Sequence, residues 1–200
     1  MQLNSKWIIF LLACLFLFQL SLSSFEFTLL YYQSPLKGIG IELKAHQLLW
    51  EYLLKQHYIS LIDLDCLTLH EKRHLLDVKR VFETLDRVWI VASFFSLVFF
   101  LIIFVYDRKR LFQLLQYTFS LGLFVVILAL VITMSFSQYF TLLHLWLFPQ
   151  NSWIFPEESL LIRWFPLEYF QEFFGLVLCL LILQLLLLRY LKKSMLLKVV

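Results

Sequence analysis

Four long apolar runs, roughly residues 7–24, 88–106, 117–137 and 172–191, divide the chain. Each is long enough to carry a helix across about 30 Å of hydrocarbon, so the pattern predicts four transmembrane helices. Between the first and second runs the pattern changes. "FEFTLLYY" (25–32) alternates weakly and is rich in aromatic residues, which predicts a short strand. "QSPLKGIG" (33–40) supplies the Pro and Gly of a turn. "IELKAHQLLWEYLLKQHY" (41–58) and "LHEKRHLLDVKRVFETLDRVW" (69–89) have apolar residues at helical spacing, the second leading straight into run two. The fold class that follows is an all-α membrane protein, with four transmembrane helices and a small extracytoplasmic α/β domain between helices 1 and 2.

Composition supports a membrane protein. The 200 residues are 62% hydrophobic, 18% aromatic and 16% charged, against roughly 45–50% apolar and 25% charged in a soluble domain. Twenty-two Phe cannot be hidden in the one core that a soluble chain of this length would build. The net charge of +3 is small and its basic residues cluster at membrane edges, so nucleic acid is not an expected partner. Cys14, Cys66 and Cys179 are far apart and form neither a CxxC nor a metal spacing, which leaves them as apolar fillers. Leu11-Leu12-Ala13-Cys14 matches a lipoprotein cleavage box, but only about seven apolar residues precede Cys14, at the lower limit for a signal peptide. The run also stays apolar afterwards as "LFLFQLSL". It is expected to be an uncleaved transmembrane helix.

Orientation follows the Lys/Arg bias of the short loops. Arg108, Lys109 and Arg110 crowd the link between runs two and three, and the tail carries Arg189, Lys192, Lys193 and Lys198. The segment after run three has one basic residue, Arg163. Both termini are therefore expected in the cytoplasm of a multi-pass cell-membrane protein. The expected segments are the N-terminus and helix 1 (1–24), an extracytoplasmic domain (25–87), helix 2 (88–106) and a cytoplasmic loop (107–116). Helix 3 (117–137), an extracytoplasmic loop (138–171), helix 4 (172–191) and a cytoplasmic tail (192–200) complete the chain. Trp7, Trp89, Trp146, Trp153 and Trp164 fall near span ends or in the outer loop, as interfacial belts require.

His70-Glu71-Lys72-Arg73-His74 reads as H-E-x-x-H, the zinc-protease signature. On a helix the two histidines share a face, and the Glu could polarise a metal-bound water. Lys72 and Arg73 would oppose a divalent cation, and no pattern supplies the third ligand that zinc requires. Most of these charges instead suit a solvated helix face, with i,i+4 pairs such as Arg73–Asp77, Lys79–Glu83 and Glu83–Arg87. A second outer histidine, His144, lies among Phe140, Leu145 and Phe148. An imidazole in such surroundings needs a polar partner or carries a desolvation cost. Histidine also takes and returns protons near neutral pH. With a second histidine at the same outer membrane edge, His144 is a candidate for an acid/base pair.

"LWEYL" (49–53), "HLLDVKRVF" (74–82), "FTLLHLWLFPQNSWIF" (140–155) and "LIRWFP" (161–166) resemble a bacterial four-span family, the lipoprotein intramolecular transacylases. The family pattern H-[LF]-x-D-V-[KR] is met by His74 to Lys79. Its second element, a histidine followed by a Phe- and Trp-containing stretch, is met from His144 through Trp153. The resemblance implies an enzyme at the outer face of the membrane, acting on lipoproteins whose N-terminal cysteine carries a diacylglyceryl thioether and a free amine. The sn-2 acyl chain would move to that amine, with no cofactor and no metal. His74 and His144 would share the proton transfers, or one would carry the acyl group transiently. Asp77 would orient His74, and Arg163 would bind the oxyanion or a phospholipid headgroup. The apolar spans would hold the acyl chains. His70 lies outside the family motif and is expected to be a solvated surface residue, while His46 and His57 are expected to be structural or exposed. Two other readings remain beside this one. The first is a membrane zinc protease built on His70, Glu71 and His74; the second is a non-catalytic binding or assembly protein.

Overall fold

The computed structural model describes residues 2–33, 41–54, 64–149 and 151–197. Among these, every regular element is helical: α1 (Gln2–Tyr31), α2 (Ile41–Leu53), α3 (Leu69–Tyr106), α4 (Arg108–Thr133), α5 (Phe136–Leu147), α6 (Leu160–Trp164) and α7 (Leu167–Leu197). The expected α/β domain is therefore corrected to a helical one, since no strand occurs among the described residues. "FEFTLLYY" continues α1 as far as Tyr31, and the Thr28 hydroxyl donates to the Ser24 carbonyl one turn back, at 2.7 Å. Extending a helix that is already formed costs far less than starting a new element, and here it overrides the β preference of the aromatic residues. The turn expected at 33–40 lies almost wholly outside the described residues, as does His57.

Four helices, α1, α3, α4 and α7, are long and apolar enough to cross a membrane, so the chain is a multi-pass membrane protein. Their sides carry exposed apolar residues that water would penalise and lipid would not, such as Phe94, Phe124, Ile127 and Leu183. The 38 residues of α3 make a rod of about 57 Å, nearly twice the hydrocarbon thickness. Its first half carries Glu71, Lys72, Arg73, Asp77, Lys79, Arg80, Glu83, Asp86 and Arg87, so the hydrocarbon belongs to the second half.

The chain divides into two units. The first comprises 1–28, 87–134 and 175–200. Ile9 and Ala13 pack there with Ile103, Leu111, Leu114 and Leu115. Leu17 and Val126 pack with Leu178, Leu181 and Leu185. Polar side chains tie α1 to α3: Gln19 donates to Ser93 at 2.6 Å and Trp89 donates to Ser23 at 3.0 Å. Such bonds are favoured in lipid, where the alternative is an unpaired polar group. Only Asp107 separates α3 from α4; its carboxylate caps α4 by accepting from the Arg110 N–H at 3.0 Å. Gly122 brings α4 close to α7, because a β-carbon there would collide with the Leu185 side chain, itself 2% exposed. Gly122→Ala is accordingly expected to cost about 1–3 kcal/mol, read as a fall in thermal midpoint in detergent.

The second unit comprises 29–86 and 135–174, and holds every candidate site residue. Its core contains Leu49, Trp50, Leu53, Leu64, Leu67, Leu75, Leu161 and Trp164. Trp164, expected in an interfacial belt, is instead 2% exposed. His46 is buried against Trp50, Trp164 and Phe165, a structural position. On α5, Phe136, Phe140 and His144, with Phe148 just past its end, follow one another every four residues and turn inward. Leu142, Leu145 and Trp146 are exposed on its other side.

Candidate active site

The site is assembled from three pieces of the second unit: the first turns of α3, the inward row of α5, and residues 148–149 and 151–159. Thr68 starts α3, its carbonyl accepting from the Lys72 N–H at 3.0 Å. The Glu71 carboxylate reaches back to the Thr68 N–H at 2.7 Å and the Thr68 hydroxyl at 2.8 Å, and the Glu71 N–H points at that hydroxyl at 3.3 Å. This is a capping box, the reciprocal pairing of Thr and Glu three residues apart. His74 follows one turn later on the same helix.

His74 and His144 come together, with ring centroids 6.4 Å apart and planes inclined by 27°. That spacing lets both rings address one small polar group. Aromatic side chains enclose them. The Phe148 ring is 4.7 Å from His74 and 5.3 Å from His144. Phe155 is 5.4 Å from His74, Trp153 is 5.1 Å from His144 and Phe140 is 4.1 Å from His144. The turn that brings Trp153 round has Asn151 in the left-handed region, at φ 63°, a conformation Asn tolerates better than most residues.

The two imidazoles differ electrostatically. Burial pushes His74 down to about 4, with His144 and His70 adding to the effect, so it is neutral at physiological pH. Its Nδ1 is buried without a hydrogen-bond partner among the described residues, and so is Nε1 of Trp153. Burial also lowers His144, though a hydrogen bond at 2.8 Å between its Nδ1 and the Phe140 carbonyl partly offsets this. A carbonyl only accepts, so His144 Nδ1 must carry the proton. In the neutral ring that leaves Nε2 with the lone pair, the arrangement of a general base.

The other residues singled out in the sequence lie as follows. Asp77 accepts from Arg80 at 3.3 Å, an i,i+3 pair, and not from Arg73 as expected. Arg163 is exposed at the end of α6. His70 is exposed as expected, yet its ring lies 4.9 Å from Phe155 and its Nε2 3.4 Å from the Ile154 carbonyl. Glu71, assigned by its sequence to a solvated face, is 3% exposed. Burial pushes its carboxyl up, but hydrogen bonds from Ser159, Thr68 and Leu161 outweigh this and hold it below the usual carboxylate range. The zinc-protease reading thereby loses its base, since Glu71 is engaged in capping. Among the described residues no three His, Cys, Asp or Glu are grouped to hold a metal ion. Sequence reasoning missed the capping box, although Thr68-x-x-Glu71 immediately before a helical pattern is its signature.

The fold is similar to that of the membrane integral lipoprotein intramolecular transacylase Lit from Bacillus cereus. The TM-score is 0.78 at 17% identity, covering 98% of this chain and 97% of that one. Two variants of the Bacillus cereus protein, with one histidine replaced by arginine or by alanine, each match with a TM-score of 0.74 at 18% identity and 98% coverage of this chain. They are covered over 94% and 96% of their own length. No curated protein sequence matches the chain. The model of one family, lipoprotein intramolecular transacylase Lit, matches residues 5–170, which takes in three of the four membrane helices and the whole histidine site. The chain belongs to the lipoprotein intramolecular transacylase Lit family.

Proposed function

We propose that this protein moves the sn-2 acyl chain of a lipoprotein's N-terminal diacylglyceryl-cysteine onto the α-amino group of the same cysteine, leaving an N-acylated lyso-lipoprotein. The observation that carries the mechanism is the Nδ1–H bond from His144 to the Phe140 carbonyl beside a neutral His74. His144 Nε2 takes a proton from the ammonium, and the freed nitrogen attacks the ester carbonyl. His74, kept neutral, donates a hydrogen bond to the oxygen that becomes anionic. A neutral imidazole does this without yielding its proton outright. On collapse the carbonyl–oxygen bond breaks, and the glyceryl oxygen receives the proton that His144 had taken. The attacking nitrogen then gives its second proton to His144, which passes it to solvent, so one proton is released per transfer and no donor beyond the substrate is consumed. Because amine and ester share one molecule, the protein's main task is to hold a reactive conformer. Asp77, one turn from His74 but paired with Arg80, has no part in these steps, and Arg163 serves a phospholipid headgroup or the oxyanion. The Lys/Arg bias supports an active site at the outer face with both termini in the cytoplasm.

Mass spectrometry of a lipoprotein N-terminus from cells with and without this chain tests the proposal. The transfer is internal, so the mass of the lipidated peptide should not change. Its α-amine should stop reacting with amine reagents, and fragmentation should give an N-acylated cysteine with a monoacyl glyceryl group. A free amine, or a peptide heavier by one acyl chain, would overturn it.

A further inference from the structure

Glu71 does more than close the capping box of α3. Its other oxygen accepts from the Ser159 hydroxyl at 2.6 Å and the Leu161 N–H at 3.3 Å, partners 88 and 90 residues away in sequence. Ser159 is the N-cap residue of α6, yet its side chain makes no capping bond of its own. The Leu161 N–H that a Ser at this position would ordinarily take is taken by Glu71 instead. One buried carboxylate thus caps two helices, and every one of its partners donates. The segment between α5 and α6 carries Phe148, Trp153 and Phe155, the rings that enclose the histidines. Its far end is fastened by this one carboxylate, one turn before His74.

We propose that Glu71 is a positioning residue for the histidine pair: by joining the first turn of α3 to the start of α6 it fixes residues 151–159 over His74 and sets the distance of His74 from His144. The catalytic half of this inference rests on the transacylase reading; the clamp itself does not. Glu71→Gln keeps the shape but turns one oxygen into an NH2 group, which must then face a pair of donors. Thr68→Val removes a hydroxyl from the α3 cap and leaves the link to α6 intact.

The test uses the full-length protein in lipid nanodiscs with a synthetic diacylated lipopeptide, and reads kcat, KM and amide hydrogen exchange over 151–159. Glu71→Gln and Ser159→Ala are expected to speed exchange in that segment. Both should lower kcat by about 10–100-fold while KM stays within about twofold, as small misplacement of reacting groups does. Thr68→Val should leave kcat and that exchange as in the unaltered protein. Unchanged exchange in Glu71→Gln overturns the clamp. Unchanged kcat, or an equal fall in Thr68→Val, overturns the positioning role. Should the unaltered protein fail to convert the lipopeptide, the transacylase reading falls, and exchange alone decides whether the clamp stands.

Discussion

Replacing His144 by alanine is expected to slow conversion of a diacylated lipopeptide by about 10²–10⁴-fold, the range in which a positioned general base contributes. The protein should still insert and fold, because His144 is only half-buried and its hydrogen bond is local to one turn of α5. His144→Asn sharpens the result. The Asn amide can replace the Nδ1–H and donate to the Phe140 carbonyl, but nothing replaces Nε2. It should match the alanine variant in activity and the unaltered protein in thermal stability. Substantial turnover by His144→Asn would remove the imidazole from the proton transfers. His74→Ala should cost about 10²–10³-fold, the usual loss of one oxyanion donor.

The second large effect is on pH. His74 falls from an unfolded value near 6.5 to about 4, and His144 is lowered in the same direction. A histidine held low binds its proton more readily when unfolded. Stability is therefore complete above about pH 6.5 and is lost as pH falls toward 4, with His74 alone contributing on the order of 3 kcal/mol. Activity has the same sign. The base form of His144 persists below pH 6.5, so kcat should hold through mildly acidic pH and fall only on the acid side of that value. Thermal midpoints and initial rates measured from pH 8 to 4 check both. An acid limb centred above 6.5 would contradict the buried, neutral pair.

Much of this was legible in the residues. The four apolar runs became membrane helices because nothing but a helix satisfies its backbone within lipid, so length and apolarity suffice to find them. The helical spacing read over 41–58 survives in α2 as far as Leu53, with 55–58 outside the described residues, and that of 69–89 survives in α3. His144 stood out since an imidazole among Phe and Leu has few ordinary reasons to be there, whereas His74 stood out through H-E-x-x-H and the family pattern H-[LF]-x-D-V-[KR]. The strand at 25–32 failed because aromatic alternation is a local preference, and the helix it abuts was already formed. Glu71 was misread for a related reason. Its charged neighbours suggested water, while the donors that bury it lie some ninety residues on and share no pattern with it. The tautomer of His144 needs the Phe140 carbonyl in place before it can be assigned.

The aromatic enclosure of the histidine pair has a consequence for what the site makes. An ester beside an imidazole base is ordinarily an ester about to be hydrolysed, for water competes with any amine as the nucleophile. Phe140, Phe148 and Phe155 offer water nothing to bind, and Trp153 offers only its indole N–H. An amine tethered to its own ester has no such need, because it arrives with the substrate. On the proposed mechanism, the same two histidines in a wet cleft would act as a lipase does, and the four rings around them would favour transfer over hydrolysis.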